Sequence, residues 1–167
     1  GLVGSEMCIR DRAYKEESTF NNRTRNINSF LDEATETLHG EGCLVSADIF
    51  GYVLQTKSDN GIGQHLESIV QSVDFISPMV YPSHYSNGSF GYQYPNKYPY
   101  EVVSAALNDG LSRGVEMKQL RPYLQGFWHT TEDVRLNIKA AEDMGLDWII
   151  WNNSSMYDTN YFTKIES

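Results

Sequence analysis

Cysteine is nearly absent from this chain: Cys8 and Cys43 are the whole complement. A disulfide framework or a cysteine zinc site is therefore excluded, and Cys43, at the head of an apolar run, is expected to be a small buried hydrophobe. Positive charge is scarce as well. The 13 Lys and Arg stand against 22 Asp and Glu, a net charge of −9, which argues against a nucleic-acid partner because phosphate binding needs a basic surplus. No apolar run approaches the ~20 residues that cross a bilayer, so no membrane span is expected. The histidines form no i, i+4 pair and join no carboxylate cluster at ligand spacing, so neither a metal nor another cofactor is expected. No Ser sits in a nucleophile elbow. The Asn-X-Ser/Thr triplets at Asn22, Asn87 and Asn153 read as chance matches.

What the chain does have is a globular composition, 40% hydrophobic and 21% charged, enough for one domain or part of one. Gly1 to Arg12 has no initiator Met, no clear period and no continuity of pattern with the residues after it. It resembles a translated sequencing-adapter segment and is set aside as foreign to the fold. The domain is then 13–167, and a leader peptide cannot be read from such a start.

Within that domain, apolar Ile27, Phe30, Leu31, Ala34 and Leu38 recur at helical spacing, which predicts a helix from about Asn22 to His39, stopped by Gly40 and Gly42. Further helices are expected over Ile62–Val73, Tyr100–Ser112 and from Thr130 or Thr131 to Met144, with a last short one near Met156. Between them lie four apolar runs: Cys43–Asp48, Phe75–Tyr81, Leu120–Gln125 and Trp148–Asn152. They read as strands. The loop Ser58-Asp59-Asn60-Gly61 carries a turn signal, and the loop from Pro82 to Pro99 is rich in rings: His84, Tyr85, Phe90, Tyr92, Tyr94 and Tyr98.

Near-continuous apolar strands alternating with helices, and no two-residue hairpin turns, demand a parallel sheet with crossover helices. A closed eight-stranded α/β barrel needs about 250 residues. Four units of it fit here, so the expected architecture is the C-terminal half, about strands 5–8, of a (β/α)8 TIM barrel. A small complete doubly wound sheet is the alternative, although no glycine-rich phosphate loop follows any strand.

Side chains alternate across a strand. One face collects Ser46 and Asp48; Ser77, Met79 and Tyr81; Arg121, Tyr123 and Gln125; and Ile149, Trp151 and Asn153. This set is too polar for a core and is assigned to the barrel interior, with Asp48 last on its strand, at the mouth, and Arg121 paired with an internal carboxylate. Rings with polar tips suit a sugar, whose C–H faces stack on Trp and Tyr while its hydroxyls bond to polar side chains. Asp48 is the candidate catalytic residue. Tyr81, His84, Gln125, Trp128, Trp151 and Asn153 are the candidate substrate-binding residues, with His129 on the same rim. A capping role for Asp48, accepting backbone N–H bonds from the next loop, stays open beside the catalytic one.

Four phrases occur in order: Ser46-Ala47-Asp48-Ile49-Phe50-Gly51-Tyr52, Ile76-Ser77-Pro78-Met79-Val80-Tyr81-Pro82-Ser83-His84-Tyr85, Arg121-Pro122-Tyr123-Leu124-Gln125 and Trp148-Ile149-Ile150-Trp151-Asn152. Together they resemble the bacterial "putative glycoside hydrolase" domain family, over nearly everything after residue 13. The resemblance implies a (β/α)8 barrel distantly similar to the α-amylase superfamily, a glycosidase activity, a polysaccharide or oligosaccharide substrate and an extracytoplasmic or cell-envelope location. It also implies a partner carboxylate in an Asp-Tyr-Ile-Arg-Phe-Pro phrase on the preceding strand, which this sequence lacks. Glycoside hydrolysis generally uses two carboxyl groups, so the chain is expected to be inactive without the missing N-terminal half of the barrel. A non-catalytic carbohydrate-binding or envelope scaffold barrel is the second reading.

Overall fold

The computed structural model describes residues 17–163; the segment 1–12, expected to be foreign, lies outside them. In chain order the elements are α1 (Phe20–Gly40), β1 (Ser46–Phe50), α2 (Leu66–Ser72), β2 (Phe75–Val80), α3 (Pro99–Ser112), β3 (Tyr123–Gln125), α4 (Thr131–Glu142) and β4 (Ile149–Trp151). Near Met156, where a short helix is expected from the sequence, there is only a 3-10 turn at Thr159–Phe162.

All strand pairings are parallel and the spatial order follows the sequence, β1-β2-β3-β4. This order decides between the two architectures. A doubly wound sheet reverses direction and puts helices on both faces. Here every crossover steps the same way, and because such crossovers are right-handed the helices share one face. Burial agrees: along β1, Ala47 and Ile49 are buried while Ser46, Asp48 and Phe50 are exposed. The fold is α/β, with the parallel strands and outer helices of part of a (β/α)8 barrel.

The core lies between the sheet and the helices. Ile49, Ile76, Val80 and Leu124 from the strands meet Leu66 and Ile69 of α2, Val103, Ala106 and Leu107 of α3 and Val134 and Ala141 of α4. Pro99 occupies the first turn of α3, where a missing N–H is harmless. Thr130 and Asp133 form a reciprocal capping box on α4. At the head of α1 the cap is Thr19, which accepts from Asn22 N at 3.2 Å.

Several expectations need correction. The first strand starts three residues later than its apolar run, so Cys43 precedes it and is exposed. Phe30 and Leu38 of α1 are exposed, at 68% and 41%. That helix instead docks on α2 through a polar seam, in which Thr35 Oγ1 donates to Ser72 O at 2.7 Å. Arg121 lies over the Phe75 ring, 3.9 Å from its centroid, and among the described residues it makes no ion pair.

Two further features shape the sheet. Pro78 has no N–H to offer, and the β2–β3 ladder is interrupted there: an isolated Ile76–Leu120 bridge lies on one side and the Met79–Tyr123 and Val80–Leu124 pairs on the other. Gly51 comes after β1, where the backbone of Met79 passes close by. A Cβ at this position would press on Met79 O and lie 2.7 Å from Tyr85 Oη. Gly51→Ala should therefore destabilise the protein by about 1–3 kcal/mol, through overpacking against backbone that cannot step aside. A thermal melt unchanged from the parent would disprove this.

Candidate active site

Residues paired in register across parallel strands point to the same side of the sheet. Asp48 pairs with Ser77, Phe50 with Met79, Met79 with Tyr123, Tyr123 with Ile149, and Gln125 with Trp151. The face opposite the helices therefore carries the interior set expected from alternation. Its depth differs. Because β1 runs on to Phe50, Asp48 sits one side-chain layer below the C-terminal edge, and Phe50 takes the place at the mouth. Phe50 is 47% exposed and stacks on Tyr52 at 5.6 Å. Extending the Ser46, Asp48 alternation by one step would have found it.

The Asp48 carboxylate faces open space. The loop after β1 does not use it as a cap: Phe50 N donates to Gln64 Oε1 at 2.9 Å. Among the described residues no hydrogen bond or cation engages it. Burial of its surroundings pushes its carboxyl pKa above the ordinary value. Its charge in turn acts on two phenols. Tyr81, 4% exposed, is held well above the usual tyrosine range, first by burial, then by Tyr123 and then by Asp48. Tyr123 is raised by burial and then by Asp48. Both phenols thus keep their protons and present O–H donors beside a carboxyl group. Tyr123 also meets Trp151 edge-on at 6.3 Å.

From Tyr81 the rings continue outward to the rim. Its edge meets His84 at 5.3 Å and Phe127 at 5.1 Å. His84 lies 6.2 Å from Trp128, and Phe127 lies 5.2 Å from it. Trp128 is 76% exposed with φ of +55°, a conformation that a bulky residue adopts only under constraint from its surroundings. Trp151 is 48% exposed at the end of β4. The structure thus joins Asp48, Tyr81, His84, Trp128 and Trp151 along one continuous face. Tyr123 and Phe127 are the links between them, and neither is among the candidates named from the sequence.

One expected substrate contact is covered over. Gln125 is fully buried, and its amide ties loops together: Oε1 accepts from Ser83 N at 3.1 Å and Nε2 donates to Phe127 O at 2.8 Å. Its direction agrees with strand alternation, but it lies beneath the floor of the site. After Trp151 the chain turns: Asn152 is buried, donating to Gly126 O at 2.7 Å and Met156 O at 2.9 Å, and Asn153 is exposed. A cavity of about 360 Å³ opens between α4 and the 159–162 turn, lined among others by Arg135, Trp148 and Phe162; none of the candidate residues borders it. Among the described residues no group of three His, Cys, Asp or Glu side chains is placed to hold a metal ion.

The loop between β1 and α2 is held by a pairing with no local sequence signal. Asp59, expected to be a turn residue, is 1% exposed and takes a two-pronged contact from Arg23 of α1, at 2.6 and 2.9 Å, plus N–H bonds from Gly61 and Gly63. This bond set keeps the far end of the loop carrying Gln64 against the body of the protein.

The fold has a counterpart among solved structures. The glycoside hydrolase domain of PgaB (BpsB) from Bordetella bronchiseptica superposes with a TM-score of 0.58 at 19% identity, over 80% of this chain and 38% of that one. That likeness shows the fold, and the chain spans well under half the length of that relative. No curated protein matches. The profile of the family described as "Putative glycosyl hydrolase domain" matches residues 5–157, and the chain belongs to that family.

Proposed function

We propose that this chain forms the Asp48-bearing part of a glycoside hydrolase barrel acting on a polysaccharide or oligosaccharide. The observation that carries the reading is a carboxyl group on the open face of the sheet that no hydrogen bond or cation engages among the described residues, with Tyr123 on the same face and Tyr81 following the neighbouring strand. Such a group can deliver a proton to a glycosidic oxygen and take one back from water. Tyr81 donates a hydrogen bond to the reacting sugar. Trp151 is the inner platform for a pyranose ring, Trp128 the outer one, and His84 a hydroxyl contact between them. The second carboxylate comes from a strand that completes the barrel beside β1. A polymeric substrate fits a protein working outside the cytoplasm, in keeping with a glycoside hydrolase structural neighbour and with the lack of any helix long and apolar enough to cross a membrane among the described residues.

Trp128→Gly separates platform from scaffold. Glycine accepts φ of +55° without strain, so the fold should hold or gain stability. Loss of the stacking face should weaken binding of cellohexaose or xylohexaose, whichever the intact protein holds, by about tenfold, the worth of one ring–sugar contact of about 1.4 kcal/mol. Isothermal titration of parent and variant decides. Equal affinities, or no affinity of the parent for either sugar, count against the platform.

A further inference from the structure

Asn137 is completely buried in α4, and its amide determines the state of a histidine. Its Nδ2 lies 3.1 Å from Gln125 O, which can only accept. The reverse amide orientation would set oxygen against oxygen, so the assignment is forced. The same Nδ2 lies 3.1 Å from His129 Nδ1. Nδ1 must then accept, and it carries no proton. A neutral imidazole with a bare Nδ1 holds its proton on Nε2, which donates to Asn96 Oδ1 at 2.8 Å. Asn137 Oδ1 is left buried without a partner, so the amide serves its donor side at the expense of its acceptor.

The chain Gln125–Asn137–His129–Asn96 crosses four elements: β3, α4, the loop after β3, and the ring-rich loop 82–98 at its Pro95–Lys97 turn. Its middle member directly succeeds Trp128, the exposed ring with the left-handed backbone. A strained residue keeps its pose only where its neighbours hold it.

We propose that His129 is the positioning residue for the Trp128 platform: its neutral, Nε2-protonated ring bolts the ring-rich loop to α4, and carbohydrate is gripped only while that bolt is closed. The inference rests on the reading of Trp128 as a sugar platform. A proton added at Nδ1 would set N–H against N–H and open the Asn137 bond. Of the groups packed around the ring, Asn96 from the ring-rich loop, Asn137 from α4 and Gln125, reached through Asn137 from β3, are uncharged. Asp133, in the first turn of α4, favours the cation, but burial outweighs it and the His129 pKa lies below its ordinary value. With the folded pKa depressed, the bolt is fully stabilising above the unfolded value of 6.5 and is lost as the pH falls through the folded one.

The test uses ¹⁵N NMR of the intact protein from about pH 8 to about pH 5, with the Trp128 indole assigned by its absence in Trp128→Gly. The expected results are a bare Nδ1 and a protonated Nε2 at neutral pH, and a Trp128 indole signal that shifts with the His129 midpoint. Asn96→Asp, at an exposed position, keeps the acceptor but adds a charge. It should raise that midpoint by about one pH unit. His129→Gln keeps an N–H toward Asn96 and cannot titrate, so the Trp128 response should flatten; unchanged Trp148 and Trp151 indole signals verify its fold. A proton on Nδ1, a Trp128 signal indifferent to His129, or a midpoint unmoved by Asn96→Asp overturns the proposal. If Trp128→Gly keeps full sugar affinity while the indole still tracks His129, the platform fails and the bolt stands. If affinity is lost but the indole does not track it, the bolt alone falls.

Discussion

Asp48→Asn in the intact protein should lower kcat by about 10²–10⁴-fold, the span that general acid–base groups contribute, while KM and the fold change little. Amide and carboxyl are near-isosteric, and among the described residues no hydrogen bond depends on the Asp48 oxygens. The direction of the stability change is also set. Burial raises the Asp48 pKa in the folded protein, so its contribution is intact below the unfolded value and is lost as the pH rises through the folded one. At neutral pH the ionised group opposes folding. Asn removes that opposition, and the variant should melt at the same temperature or slightly higher. Reducing-end release and differential scanning calorimetry measure the two effects. Retained turnover would remove Asp48 from the chemistry. An intact protein that binds oligosaccharide without cleaving it, with or without the substitution, would favour the scaffold reading.

Asp59→Ala carries the largest expected loss of stability, about 3–5 kcal/mol, the range for breaking a buried pair by removing one partner. Four donors converge on this carboxylate, two from Arg23 and one each from Gly61 and Gly63. They hold its pKa far below the usual carboxylate range, with the Arg23 hydrogen bond the largest cause. Its stabilisation is therefore complete above the unfolded value of 3.8 and declines as the pH falls below it. Urea unfolding at neutral pH should show the full difference between parent and variant, and the gap should close in strong acid. A loss under about 1 kcal/mol would mean that the loop is held by other contacts.

The sheet was legible in the sequence because its signals are local and repeated. Apolar runs joined by amphipathic helices leave few arrangements, and alternation put Asp48 on the correct face. Depth was not legible. Ser46, Asp48 and Phe50 alternate alike, and nothing in that pattern says where pairing stops, so the sequence places Asp48 one layer too high. Gln125 shows the same limit: alternation set its direction, but only the loops folding over it show that it is covered. Past Trp151 the alternation in exposure continues, with Asn152 buried and Asn153 exposed, but only the hydrogen bonds of Asn152 show that it ties the following turn to the sheet. The Arg23–Asp59 pair and the Asn137–His129–Asn96 chain join residues far apart in sequence, and short-range patterns carry no trace of them.

The interruption at Pro78 leaves the sheet unevenly laced. Asp48 rides on the firmly laced β1–β2 pair, with five residue pairs in register, while Trp128 and Trp151 ride with β3 and β4. Among the described residues the β2–β3 ladder has just Met79–Tyr123, Val80–Leu124 and one isolated bridge, and side chains above it, Gln125 on Ser83 and His129 on Asn96, tie the halves together. Where backbone lacing is sparse, the register between the two sides is therefore kept by side chains reaching over the sheet edge.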